Sequence, residues 1–215
     1  MLVDIKVCGL TRPRDARAAA ELGARYVGVV LAGGPRSLDP MRARTVLDGA
    51  GRTVERAGVF GTNDPVQVAR TVRAARLDIV QLHGDPTADD VRAVRQASGV
   101  KVWAVARVNG AISPDDIRSL WEAADALVLD SRVNGKLGGT GTPFDWGSAQ
   151  QGVRGRSVPL VVAGGLTAAN VAQAIETLRP EIVDVSSGVE SSPGIKDHTR
   201  IADFIDAVRR ARSET

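Results

Sequence analysis

Leu160-Val161-Val162-Ala163-Gly164-Gly165-Leu166-Thr167 and, shortly after, Ile182-Val183-Asp184-Val185-Ser186-Ser187-Gly188 decide how this chain is read. Each is a short apolar run that stops at a Gly- or Ser-rich turn, as a buried strand does when it ends in a ligand-facing loop. An open doubly wound sheet would place its glycine-rich turn after the first strand. Here such turns close the last two of about eight apolar runs, where α/β barrels carry their phosphate loops.

Upstream, the same rhythm of apolar run, polar loop and helix-like stretch repeats. The runs are Val3–Cys8, Tyr26–Leu31, Glu55–Phe60, Ile79–His83, Lys101–Val105 and Ala126–Asp130, followed by Leu160–Ala163 and Ile182–Val185. They are rich in Val, Leu and Ile, as parallel strands covered on both faces require. Pro13 and Asp15 after Thr11 start the first helix and Gly23 stops it; Ala16, Ala19, Ala20 and Leu22 supply its apolar face. Asp64-Pro65 opens the third helix, with Val66, Val68, Ala69, Val72 and Ala75 to bury. Ser113-Pro114 opens the fifth, Thr167 to Asn170 the seventh, and Asp203 to Arg212 forms the eighth. The sixth is short, near Trp146 to Gln150, after a Gly-rich stretch from Gly135 to Gly141 of the kind that forms a functional loop. The expectation is an α/β chain folded as one (β/α)8 TIM barrel domain over residues 1–215, since no linker or charge block divides it.

Composition narrows the function. At 43% hydrophobic, 215 residues can bury a large core. No apolar run reaches the roughly 18 residues of a membrane span, and the N-terminus has no signal-peptide pattern. A single cysteine cannot form an intrachain disulfide, which fits a cytoplasmic protein. The net charge is only +3 and aromatic residues are 3% of the chain, so no basic, stacking surface for nucleic acid is expected.

Candidate site residues follow from the strand ends, where barrels build their sites. Cys8 ends the first run beside Gly9; a thiol there becomes a base once a helix terminus or cation lowers its pKa, although a lone strand cysteine can also be a small core residue. Asp130 ends the sixth run, where a carboxylate is costly unless paired or used, and a raised pKa would make it a general acid. Gly164, Gly165, Ser186, Ser187 and Gly188 offer amides and hydroxyls to a phosphate. Arg36, in the loop after the second run, suits a substrate carboxylate. His83 reads as a positional group, because no metal-ligand spacing accompanies it. Asp184 can meet sugar hydroxyls or pair with a neighbour.

In order along the chain, Lys6-Val7-Cys8-Gly9-Leu10-Thr11, Pro35-Arg36, Gly58-Val59-Phe60, Val80-Gln81-Leu82-His83-Gly84, Leu129-Asp130-Ser131, Gly138-Gly139-Thr140-Gly141, Ala163-Gly164-Gly165-Leu166 and Val183 to Glu190 resemble the phosphoribosylanthranilate isomerase family of tryptophan biosynthesis. The resemblance implies that Cys8 is the general base, Asp130 the general acid, Arg36 the anthranilate ligand and the two late loops the phosphate site. It implies an Amadori rearrangement of a phosphosugar with no cofactor and no metal, in a cytoplasmic monomer or homodimer that needs neither nucleic acid nor membrane. One departure is visible: Leu31-Ala32-Gly33-Gly34 stands where the family carries an aromatic, Ser-rich approach to the arginine. The rival readings are the histidine-pathway isomerase, which would carry an aspartate at Cys8, and a catalytically dead barrel that senses a phosphorylated metabolite.

Overall fold

The computed structural model describes residues 3–108, 112–131 and 144–213. Eight strands, β1 (Asp4–Val7), β2 (Tyr26–Val30), β3 (Glu55–Phe60), β4 (Ile79–Leu82), β5 (Lys101–Val108), β6 (Ala126–Ser131), β7 (Leu160–Val162) and β8 (Ile182–Val185), close a barrel in chain order. All pairs are parallel, and β1 completes the ring by running from Asp4↔Ile182 to Val7↔Val185 against β8. The helices between them are α1 (Pro13–Leu22), α2 (Pro40–Asp48), α3 (Pro65–Ala75), α4 (Ala88–Ser98), α5 (Pro114–Ala123), α6 (Trp146–Ala149), α7 (Val171–Leu178) and α8 (His198–Ser213). A small antiparallel pair, β9 (Glu190–Ser192) and β10 (Ile195–Lys196), lies between β8 and α8.

The helices other than α1 and α7 start on side-chain caps. Asp64 accepts from the Val66 and Gln67 amides and Ser113 from that of Asp115, so both predicted openings hold. Gly23 stops α1 in the left-handed region, at φ 112°. Three boundaries differ from the sequence reading by more than one residue. The α7 helix begins only at Val171, because Asn170 first closes a turn: its side chain accepts from the Thr167 amide and donates to the Gly165 carbonyl. The α8 helix begins at His198 instead of Asp203, since Asp197 accepts from the Thr199 and Arg200 amides and caps it there. The β5 strand runs on to Val108. Val66, expected in the core, is 67% exposed in the first turn of α3. The Gly135–Gly141 stretch lies outside the described residues.

Alternation along each strand sorts the core into two clusters. Residues such as Ile5, Val7, Val27, Val29, Leu127, Leu129, Val183 and Val185 face the helices in the larger one. Tyr26, Ala57, Ile79, Trp103, Val105, Ala126, Val128, Val161, Ala163 and Ile182 fill the barrel. Within that plug Tyr26 and Trp103 meet edge-to-face, ring centres 5.1 Å apart. Continuing the same alternation towards the C-terminal strand ends, the next interior residues are polar: Lys6, Gln81, His83, Asp130 and Asp184 are all buried.

Candidate active site

Two residues before Cys8 on the same face of β1 stands Lys6, wholly buried. Its ammonium donates to Asp184 Oδ2 at 2.6 Å and to Gln81 Oε1 at 2.9 Å. Space for this pair comes from Gly28 in β2. A Cβ there would stand 2.9 Å from Cys8 Sγ and 3.2 Å from Lys6 Cε. Where the chain leaves the barrel, Gly9 has φ 70°, and a Cβ on it would meet Arg36 Cδ and Ser186 Oγ, each at 2.7 Å. Burial pushes the Cys8 thiol above its ordinary range, against the pull of the Lys6 charge.

Asp130 is 8% exposed at the end of β6. Burial first, then the nearby Asp184 charge, pushes its carboxyl up to about 6, while the Ser131 amide, Lys6 and Arg107 pull the other way. A group so placed holds a proton for a useful fraction of the time near neutrality. His83 Nε2 lies 3.6 Å from Asp130 Oδ2. Burial, Arg107 and Lys6 lower the imidazole to about 4, so it is neutral and the contact is not an ion pair. Its Nδ1 is buried without a partner.

Beside Asp130, the loop after β7 turns on Gly164 at φ 83° and Gly165 at φ 67°. A Cβ on Gly164 would lie 2.6 Å from both Asp130 Oδ1 and the Ser131 amide nitrogen, so only glycine lets this loop sit against the acid. Ser186 and Ser187 face the same space from the loop after β8.

Arg36 comes from the loop after β2, yet its guanidinium is not free. It forks onto Glu190, Nε to Oε1 at 2.8 Å and Nη2 to Oε2 at 2.5 Å. Lys196 Nζ joins the same carboxylate at 2.8 Å. Burial raises the Glu190 carboxyl, but Arg36 and Lys196 outweigh it and hold it below its usual range.

These groups surround a cavity of about 560 Å³ at the C-terminal end of the barrel. Cys8, Arg36, His83, Asp130, Gly164, Gly165, Asp184, Ser186 and Ser187 all line it, as do Ala32, Gly33 and Gly34 of the departing loop. Gly188 stands behind this lining. It packs so tightly on the Leu166 carbonyl oxygen that a Cβ has no room, so its smallness lets the last two loops touch. Sequence reasoning overlooked Lys6, Gln81, Glu190 and Lys196. Stepping back two residues from Cys8 and His83 would have found the first two. Nothing local signals the Glu190–Lys196 pair, which depends on the β9–β10 hairpin. Among the described residues no group of three His, Cys, Asp or Glu side chains is arranged to hold a metal.

Fold and site together define a barrel of the enzyme class, with titratable groups at the strand ends and glycine-turned loops beside them. The family model for N-(5'-phosphoribosyl)anthranilate (PRA) isomerase matches residues 5–207, and the chain belongs to that family. An N-(5'-phosphoribosyl)anthranilate isomerase of Acidithiobacillus ferrooxidans is 42% identical over 212 residues, covering 97% of this chain and 98% of that protein. The crystal structure of the Thermus thermophilus phosphoribosyl anthranilate isomerase superposes with a TM-score of 0.86 at 31% identity, over 97% of this chain and 99% of that one. Another isomerase structure, in complex with reduced 1-(o-carboxyphenylamino)-1-deoxyribulose 5-phosphate, gives a TM-score of 0.82 at 32% identity over 97% of this chain and all of that one.

Proposed function

We propose that this chain isomerises N-(5-phosphoribosyl)anthranilate to 1-(2-carboxyphenylamino)-1-deoxyribulose 5-phosphate, a step of L-tryptophan biosynthesis, with Asp130 as general acid and Cys8 as general base. The observation that carries this reading is that a carboxyl pushed up to about 6 and the lone thiol line one cavity, with a glycine-turned loop packed beside the carboxyl. Asp130 gives its proton to the furanose ring oxygen as the C1–O bond breaks, leaving a Schiff base between C1 and the anthranilate nitrogen. Cys8, as thiolate, takes the proton from C2, and the electron pair moves through C1 to that nitrogen. The enolamine then becomes the ketone by losing the 2-hydroxyl proton and gaining one at C1. Atoms balance without redox change.

Gly164, Gly165, Ser186 and Ser187 hold the phosphate, and Asp184 meets the sugar. Arg36 receives the anthranilate carboxylate with the guanidinium edge that Glu190 leaves open. His83, neutral beside Asp130, borders the substrate. The protein works as one domain in the cytoplasm, alone or as a homodimer. Substrate generated freshly in the cuvette loses its fluorescence on turnover. Loss with the wild type and none with Cys8→Ala supports the reading, whereas a silent wild type overturns it.

A further inference from the structure

A buried ion pair is a weak source of stability: apolar residues of similar size often serve as well or better. The barrel already has an apolar filling directly below, including Ile79, Val128 and Ile182. Lys6, wholly buried at the level where the reacting groups begin, therefore calls for another reason. An ammonium has three N–H bonds. One goes to Asp184 and one to Gln81, which together pin the nitrogen against β8 and β4. The third is left for Cys8, whose sulfur shares with the Lys6 Cε the room that the missing side chain of Gly28 leaves.

We propose that Lys6 is the positioning residue for the proton-abstracting sulfur: its ammonium, anchored by Asp184 and Gln81, is the fixed counter-ion of the Cys8 thiolate. This rests on Cys8 being the base. Four charged groups face that sulfur: Lys6 from β1, Asp184 from β8, Lys196 from β10 and Arg36 from the loop after β2. Glu190 engages the last two cations, and Lys6 alone reaches the sulfur along its own strand. Asp184 opposes the thiolate, so Lys6 serves two anions at once, and Gln81 keeps it from swinging wholly to the carboxylate. The proton shed by the thiol leaves to solvent through the cavity.

Because Cys8 is the only cysteine, alkylation by iodoacetamide followed across pH by mass spectrometry reads this one sulfur. A cation within a few ångströms shifts an ionisable group by a pH unit or more, a tenfold change in its ionised fraction. Lys6→Met is therefore expected to slow alkylation at neutral pH by about tenfold and to move the midpoint upward. Since that variant strands Asp184 without a partner and can fail to fold, the comparison is repeated between Asp184→Asn and the double variant Lys6→Met/Asp184→Asn. Both of these variants carry a neutral residue at 184, and the difference between them is Lys6 alone. A higher midpoint in the double variant supports the proposal. Equal midpoints overturn it and leave Lys6 a structural partner of Asp184. No substrate enters the measurement, so its failure leaves the isomerase reading standing, and a wild type without turnover leaves the titration standing.

Discussion

The lower and upper halves of the barrel interior are built by the same strands on the same alternation, and their chemistry is opposite. On β4 the inward residues run Ile79, Gln81, His83; on β6 Ala126, Val128, Asp130; on β8 Ile182, Asp184, Ser186. The lower members belong to the apolar plug. The upper ones are polar, all buried but Ser186, and among the described residues His83 Nδ1 and Asp184 Oδ1 have no hydrogen-bond partner. Burying apolar area stabilises a fold, whereas burying charge and unpaired polar atoms costs stability. The contrast teaches that the plug holds the barrel closed while the layer above it gives up stability to keep proton donors and acceptors in unusual states.

Each substitution that follows tries to break that division, taken from the largest effect down. Cys8→Ala in the upper layer is expected to lower kcat by roughly 10²–10⁴-fold, the usual contribution of a general base, with thermal stability almost unchanged. A variant that instead loses its fold would move Cys8 into the plug. Trp103→Ala, in the plug, is expected to destabilise by about 3–5 kcal/mol in denaturant titration while the folded fraction keeps its turnover number. Asp130→Asn should sharpen the contrast by trading function for stability. Its carboxyl is raised from 3.8 to about 6 in the folded protein. The folded state therefore loses stability relative to a neutral side chain as pH rises through that window, and the loss is complete above it. Denaturation of Asp130→Asn should accordingly show a gain of up to about 3 kcal/mol at neutral pH that vanishes near pH 4, alongside a kcat lowered by orders of magnitude. An equal stability difference at both pH values would refute the cost of burying Asp130. Smallest is Arg36→Met at the rim, expected to raise KM by about tenfold, as one lost charged hydrogen bond implies, with kcat nearly intact. Lys196 remains on Glu190 in that variant, so the hairpin keeps its anchor. An unchanged KM would remove Arg36 from the binding surface.

Much of this was legible before any coordinates. Cys8 and Asp130 stand out because each terminates an apolar run, and a reactive side chain at the end of a buried strand is hard to explain as packing. The glycines after β7 were visible for the same reason. Lys6 was not, because a charge between Ile5 and Val7 reads as an exposed position until the barrel closes and brings Asp184, 178 residues away, within 2.6 Å. Arg36 looked free for a ligand, yet Glu190, 154 residues on, holds most of its fork. The close approach of Gly188 to the Leu166 carbonyl was likewise invisible in the sequence, because it joins two loops that only the fold brings together. Among the described residues no helix is long and apolar enough to cross a membrane. The Gly138 to Gly141 motif lies outside the described residues.

The sequence by itself determined the order of eight strands and helices, and it put a thiol and a carboxyl at strand ends that line one cavity. Those follow from the pattern of apolar residues and from where it stops, which are local properties of the chain. Only the tertiary structure decided the protonation of these groups: which carboxyl is lifted to about 6, which imidazole stays neutral, and which cation stands beside the sulfur. The physical reason is that a proton's free energy on a side chain is set by lost water and by neighbouring charges, and both are supplied by residues that only the closed barrel brings together.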